Sequence, residues 1–172
     1  MNKEQVQAFT KRISNGNRSE IIVVLFDIFQ AYETDARIAL LEIQQAREEK
    51  NHEHKMKATQ AYREGIRHAS MVLRHLEDDL DFNADISRNL FTIYTYCERA
   101  LARATYKEDL AIFDEVEKIM SELREAFVAV ADQDTSAPIM ANTQKYVAGY
   151  TYGKTDVMEM AINFDISRGF LA

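Results

Sequence analysis

The sequence predicts an all-α fold: an antiparallel up-and-down four-helix bundle with a short N-terminal segment and a partly ordered C-terminal tail. Only five glycines and one proline occur among its 172 residues, and both residue types are unfavourable inside helices. Apolar side chains recur at alternating spacings of three and four, which is the period of one helix face. Four long segments of this kind, joined by short polar connections, favour helices packed side by side in alternating directions.

The first 17 residues are polar, but Val6, Phe9 and Ile13 have helical spacing. This pattern predicts a short helix that is broken at residues 14–17. Ser19 is then the expected N-cap of the first long helix, over residues 20–49. Its apolar stripe consists of Ile21, Leu25, Ile28, Tyr32, Ala36, Ala39 and Ile43, and a second face is formed by Ile22, Phe26 and Phe29.

The charged residues 47–55 predict a solvated turn, followed by the second long helix over residues 56–80. Gly65 lies inside this helix and costs about 1 kcal/mol relative to alanine. It either allows a close helix contact or is simply tolerated. The apolar stripe consists of Thr59, Tyr62, Ile66, Ala69, Leu73, Leu76 and Leu80.

The third helix is expected to begin at Asp85, as its cap, and to end where residues 105–108 turn the chain. The fourth helix then runs to about residue 131 and carries two overlapping apolar stripes. A helix that is apolar on two sides needs partners on two sides. The third helix has one stripe of Ile86, Leu90, Ile93, Cys97, Leu101 and Ala104, with Phe91, Tyr94 and Tyr96 beside it.

Composition changes after the fourth helix. Residues 132–172 contain the only proline and three of the five glycines, together with several aromatic residues. The segment is too short for its own core and too aromatic for an inert linker. We therefore expect residues 1–131 to form the helical-bundle domain and residues 132–172 to form a tail that is not an independent domain.

Charge and cysteine content narrow the function classes. The net charge of −7 argues against a nucleic-acid surface. Cys97, the single cysteine, fits a buried small hydrophobe in a reducing compartment. No segment resembles a signal peptide or a membrane span, so we expect a cytoplasmic protein without membrane insertion.

Catalytic motifs are weak. Helical bundles house di-iron centres with paired Glu-x-x-His motifs, but this spacing occurs once, at Glu49 and His52 in the charged turn. His68 and His75 are more consistent with a solvated face than with a metal site, and a phosphate-binding glycine loop is missing. We expect no catalytic residue, no metal and no cofactor.

The segment 89–127 resembles the FliS family of flagellin-specific export chaperones. The run Asn89-Leu90-Phe91-x-x-Tyr94 is similar to the family's Asn-Leu-Tyr-x-x-Tyr, and residues 99–104 to its Arg-Leu-x-x-Ala stretch. Residues 122–127 are similar to its Glu-Leu-Arg-x-x-Trp ending. Upstream, Ser19-Glu20 and then Leu25-Phe26-Asp27 resemble its Ser-Pro-Glu entry and its Leu-Tyr-Asp run. The resemblance covers about residues 18–130, so the tail is an addition to the family's chain.

This resemblance implies a compact helical bundle that binds the disordered C-terminal segment of flagellin and holds it for the flagellar export apparatus. The chaperone would be a monomer or a weak homodimer, and its apolar grooves would take an amphipathic helix. The expected partner-binding residues are Ile22, Leu25, Phe91, Tyr94, Leu101, Ile112 and Ile119. The residues expected to cover the groove in the free chain are Val6, Phe9, Met160, Phe164 and Phe170.

Two alternatives remain open at this stage. A helical bundle could use its surplus apolar faces to self-associate or to bind another client. An enzyme would require a bound metal ion.

Overall fold

The structure is a computed structural model that describes residues 1–140. Within this range the chain forms five α-helices and no strand, which confirms the all-α prediction. The short N-terminal helix is present, and the four long helices follow it. The helices are α1 (Lys3–Asn15), α2 (Arg18–Glu48), α3 (His52–Asp78), α4 (Asp85–Lys107) and α5 (Leu110–Ala131).

Side-chain caps set most of the helix starts. Asn17, not Ser19, caps α2: its side chain accepts a hydrogen bond from the Glu20 N–H, and the Asn17 N–H donates one to the Glu20 carboxylate. This reciprocal capping box satisfies two backbone donors that a single serine would not. Asp85 was expected to cap α4, but it is the first helical residue, and Ala84 precedes it without a side-chain hydrogen bond.

Two predicted turns are shorter than the sequence suggested. The connection between α2 and α3 is only three residues long, because α2 continues to Glu48 and α3 begins at His52. Likewise, α4 continues to Lys107 instead of turning at residue 105. Both reversals use one residue in the left-handed region, Lys50 with φ 53° and Glu108 with φ 50°. A single residue of this conformation ends a helix abruptly.

The core lies between α2, α3, α4 and α5, each of which packs against two of the others in a ring, while α1 packs on α2. Aromatic rings fill the centre. The ring centroids of Phe26 and Tyr94 lie 6.5 Å apart, and those of Tyr62 and Phe113 lie 6.1 Å apart. The buried Tyr62 hydroxyl donates a 2.7 Å hydrogen bond to the Ala104 carbonyl, so the core holds no unpaired phenol there.

Gly65 on α3 packs closely against Ala36 on α2. It is buried, and a Cβ added to it would lie 2.8 Å from the Cβ of Ala36. The glycine therefore allows close packing, which decides between the two interpretations of its role.

Residues after α5 fold back onto the junction between α1 and α2. Ser19 Oγ donates to Asp134 Oδ2 over 2.6 Å, and Asn17 Nδ2 donates to the Asp134 carbonyl over 3.0 Å. Hydrogen bonds from Ser19 and then Ser136 lower the pKa of Asp134 to about 2. The start of the predicted tail thus has defined contacts with the bundle.

Candidate partner-binding surface

The candidate surface begins at the apolar edges of the helices. Ile22 and Leu25 on α2 and Ile119 on α5 are half-buried: each packs against the core and leaves part of its surface open. Such edges arise because the apolar stripe of these helices is wider than the contact with their neighbours. A second helix laid along an edge could bury the remainder.

Three of the expected partner-binding residues lie inside the core. Tyr94 is 1% exposed, Leu101 is 0% exposed and Ile112 is 9% exposed. Tyr94 faces the Phe26 ring, and its burial raises its phenol pKa. These side chains contribute no open surface in this structure, and a partner contact with them stays a prediction.

Phe91 is the most open member of the expected set. It is 42% exposed, and its ring meets the edge of the Phe82 ring at 5.8 Å. Phe82 comes from the connection between α3 and α4, and the sequence interpretation did not include it. The sequence feature that could have identified Phe82 is a single aromatic residue within an acidic connection.

Other exposed apolar side chains were also missed. Ile38 and Leu41 on α2 and Met56 on α3 lie outside the main stripes, where the spacing alone gave no reason to select them. Ile86 begins the predicted apolar stripe of α4 but is 63% exposed.

Helix α1 is attached to α2 by two ion pairs and by apolar side chains that are only half-buried. It buries no residue fully, and Val6 and Phe9 are half-buried. Arg12 donates a 2.5 Å hydrogen bond to Asp27 on α2, and the N-terminal amine pairs with Asp35. A helix held this way should separate from α2 at lower free energy than the core helices separate from each other.

Asp27 also joins α2 to α5. Its second carboxylate oxygen accepts a 2.5 Å hydrogen bond from Arg124 Nε. One carboxylate therefore links three helices beside the half-buried apolar edge. The remaining residues expected to cover the groove, Met160, Phe164 and Phe170, lie outside the described residues.

A charged network that runs from the buried Glu33 to exposed carboxylates connects α2 and α5 further along. Glu33 is 2% exposed and accepts a 3.2 Å hydrogen bond from Arg37 Nη2. Arg37 also pairs with Asp114 and Glu117 on α5. Burial, opposed by the charge of Arg37, raises the pKa of Glu33 to about 7.

The residues weighed for metal or redox chemistry have other surroundings. His68 stacks on Tyr32 at 4.7 Å, and burial followed by the charge of Arg67 lowers its pKa. Cys97 is buried as expected, and burial raises the pKa of its thiol to about 12. Residues 1–140 contain no cluster of three or more His, Cys, Asp or Glu side chains placed to hold a metal ion.

Comparison with known proteins identifies the family of the chain. Within residues 1–140, no helix has the length and apolar character needed to cross a membrane. No curated protein matches the chain significantly. The family model described as "Flagellar protein FliS" matches residues 1–134 of the 172. The match includes all five helices and the capped junctions between them, and the chain therefore belongs to the FliS family.

Proposed function

We propose that the chain is a cytoplasmic export chaperone that binds the disordered C-terminal segment of flagellin. The segment would lie in apolar grooves between helices, which prevents premature polymerisation, and the complex would deliver it to the flagellar type III export apparatus. Family membership supports a role in flagellar assembly.

The packing of α1 on α2 is the observation that supports the proposal most strongly. An amphipathic helix already lies along the outer side of α2 without burying a single residue fully. The face beneath it is therefore suited to accept a helix, as in helix-in-groove recognition. Flagellin would replace α1 there because it can offer a longer apolar face than Val6 and Phe9 provide.

The edges on α2 and α5 extend this surface. Ile22, Leu25 and Ile119 remain half-open after the core is complete. A client that folds as it binds typically buries about 1,000–3,000 Å² and spends several kcal/mol on ordering. Each aliphatic side chain of the client that goes from full exposure to full burial contributes about 1.5–3 kcal/mol, and several of them offset that cost.

The predicted bundle geometry is part of the proposal. An antiparallel up-and-down arrangement of α2 to α5 is supported by the short connections and by the charge of Arg18, at the start of α2, acting on Asp79, at the end of α3. This arrangement places long grooves between neighbouring helices. The chain would act by binding alone, without catalysis or a cofactor.

A binding measurement tests the proposal. Isothermal titration of the full chain with a flagellin C-terminal peptide should give micromolar or tighter affinity. Ile119→Ala should weaken it at least tenfold, whereas Val130→Ala, which removes an aliphatic side chain that is 55% exposed on the same helix, should leave it unchanged. The proposal fails if the wild-type chain does not bind the peptide.

Size-exclusion chromatography separates the self-association alternative. A chaperone should elute as a monomer or weak dimer and shift to a one-to-one complex when the peptide is added. A stable oligomer that ignores the peptide would instead favour a structural bundle. Both outcomes use the same full-length chain.

A further inference from the structure

An apolar patch lies at the connection between α3 and α4, and we define it as Phe82, Ile86 and Phe91. Phe82 is 54% exposed, Ile86 63% and Phe91 42%, and the two phenylalanine rings meet edge to face at 5.8 Å. Exposed aromatic pairs of this kind are typical of contact surfaces. Phe82 and Ile86 play no part in the proposed client groove.

Acidic side chains surround this patch in sequence. Residues 77–91, which include the patch, contain five carboxylates and one arginine, Arg88. Arg18 and His75 act on Asp79, but they are outnumbered. The patch therefore favours an occupant that combines apolar or aromatic side chains with positive charge.

The described chain ends at the same part of the bundle. Asp134 is fixed to Asn17 and Ser19, and the Ile139 N–H donates to the Gly16 carbonyl over 3.2 Å. The neighbouring Arg18 lies close enough to Asp79 for its charge to act on it. Residues that follow Met140 thus start beside the segment that carries the acidic side chains.

The composition of the following segment matches the patch. Residues 141–155, which lie outside the described part, contain two lysines, three tyrosines and no aspartate or glutamate. Ten extended residues reach about 33 Å, which is more than the width of a small helical bundle. The segment can therefore reach any point at this end of the molecule.

We infer that residues 141–155 dock on the Phe82 patch of their own chain, with Tyr146, Tyr150 and Tyr152 against the phenylalanine rings and Lys145 and Lys154 near the carboxylates. The occupant is this segment and not a second copy, because two copies meeting at this patch would bring like charges together. The patch shares Phe91 with the expected partner-binding residues but contains none of Ile22, Leu25 and Ile119, so docking leaves the α2 edge open to flagellin. The match to the FliS family ends at residue 134, so this contact would be an addition of this chain.

A paramagnetic label on the full chain tests the inference. Tyr150→Cys is labelled with a nitroxide, and the buried Cys97 thiol stays unlabelled in the folded protein. We expect the amide signals of Ile86 and Phe91 to broaden more than those of any other helix residues. Undisturbed signals there, or strongest broadening at Ile22 and Leu25, would overturn the inference.

Matched variants separate charge and ring contributions. Lys145→Glu with Lys154→Glu, placed outside the bundle, should reduce the broadening severalfold, and so should Phe82→Ser. Tyr106→Ser, at a residue that is 88% exposed near the end of α4, should leave it unchanged. Broadening that survives both the charge reversal and Phe82→Ser would contradict the inference.

A mixed sample distinguishes docking within one chain from docking between chains. One component of the mixture is isotope-labelled protein without the nitroxide. The other is protein of natural isotope content with the nitroxide at position 150. Docking within one chain predicts no broadening of Ile86 and Phe91 in this mixture. Broadening as strong as in the chain that carries both the isotope label and the nitroxide would show that copies dock on each other, and would refute the inference.

Discussion

Gly65 on α3 lies directly against Ala36 on α2. A Cβ at position 65 would stand 2.8 Å from the Ala36 Cβ and 3.0 Å from its Cα and nitrogen. None of these atoms can move away by a rotamer change, because all belong to the backbone or are fixed to it. The spacing of the two longest helices therefore depends on a missing methyl group.

Replacing Gly65 with alanine should destabilise the protein although it improves helix propensity. Propensity contributes about 1 kcal/mol in favour of alanine, while overpacking costs about 1–3 kcal/mol. Because the Ala36 atoms cannot move aside, we expect an overpacking cost in the upper part of this range and a net loss of about 1–2 kcal/mol in the free energy of unfolding, measured by urea denaturation. Gln60→Ala, at an exposed site of the same helix, serves as the control, and a Gly65→Ala protein as stable as wild type would refute the close contact.

The buried Glu33 carboxyl should make stability fall as pH rises. Its pKa is about 7 in the folded state against an ordinary value of 4.5. Between these values the folded chain holds a proton that the unfolded chain has released, so unfolding becomes easier as pH increases and levels off above pH 7. The shift corresponds to about 3 kcal/mol at most.

Glu33→Gln should remove this dependence, because the amide has no proton to lose and still meets Arg37. The difference in unfolding free energy between variant and wild type should grow in favour of the variant from pH 5 to pH 8. Parallel stability curves for the two proteins would contradict a raised pKa at Glu33.

Asp27 should contribute more to the free energy of unfolding than either arginine that it binds. Asp27→Ala leaves Arg12 and Arg124 without their partner, and we expect a loss of about 1–2 kcal/mol in global stability. Arg12→Ala removes only the bond to α1. Global stability should then change by less than about 0.5 kcal/mol, while amide exchange in α1 accelerates severalfold.

Unfolding free energies and amide exchange rates, measured for Asp27→Ala and Arg12→Ala, check whether Arg12 acts on α1 alone. Lys57→Ala, which breaks an exposed pair with Glu53 on α3, controls for surface charge. The link between α1 and α2 is misassigned if Arg12→Ala lowers global stability as far as Asp27→Ala does.

Cys97 should react with thiol reagents only after unfolding. It is 0% exposed, and the pKa of about 12 leaves almost no thiolate at pH 8. A disulfide-exchange reagent should therefore label the native chain at a rate set by opening of the core, and label it at once in denaturant. Immediate reaction of the native chain would place Cys97 outside the core.

Helix number and order were predictable because apolar periodicity persists over 20 or more residues. The boundaries were less so: Asn17 and Ser19 both suit an N-cap, and only Glu20 in the capping box decides between them. Similarly, a single left-handed residue, Lys50, reverses the chain where the sequence shows a long charged run. One backbone conformation can shorten a turn without any change in composition.

The division between core and surface could not be predicted from spacing. Along α2, Leu25 belongs to the predicted main stripe but lies at an edge, whereas Phe26 and Phe29 from the second face are fully buried. On α4, Tyr94 and Phe91 both lie beside the predicted stripe, but Tyr94 is buried and Phe91 is exposed. Both faces have the helical period, and only the position of neighbouring helices decides which one is enclosed.

Hydrogen exchange of the full chain, with and without a saturating flagellin C-terminal peptide, tests the central claim most directly. The account predicts slower exchange in residues 21–32 of α2 and faster exchange in α1, because the client takes the place of α1 on that face. Exchange that is the same in both segments with and without the peptide would contradict it.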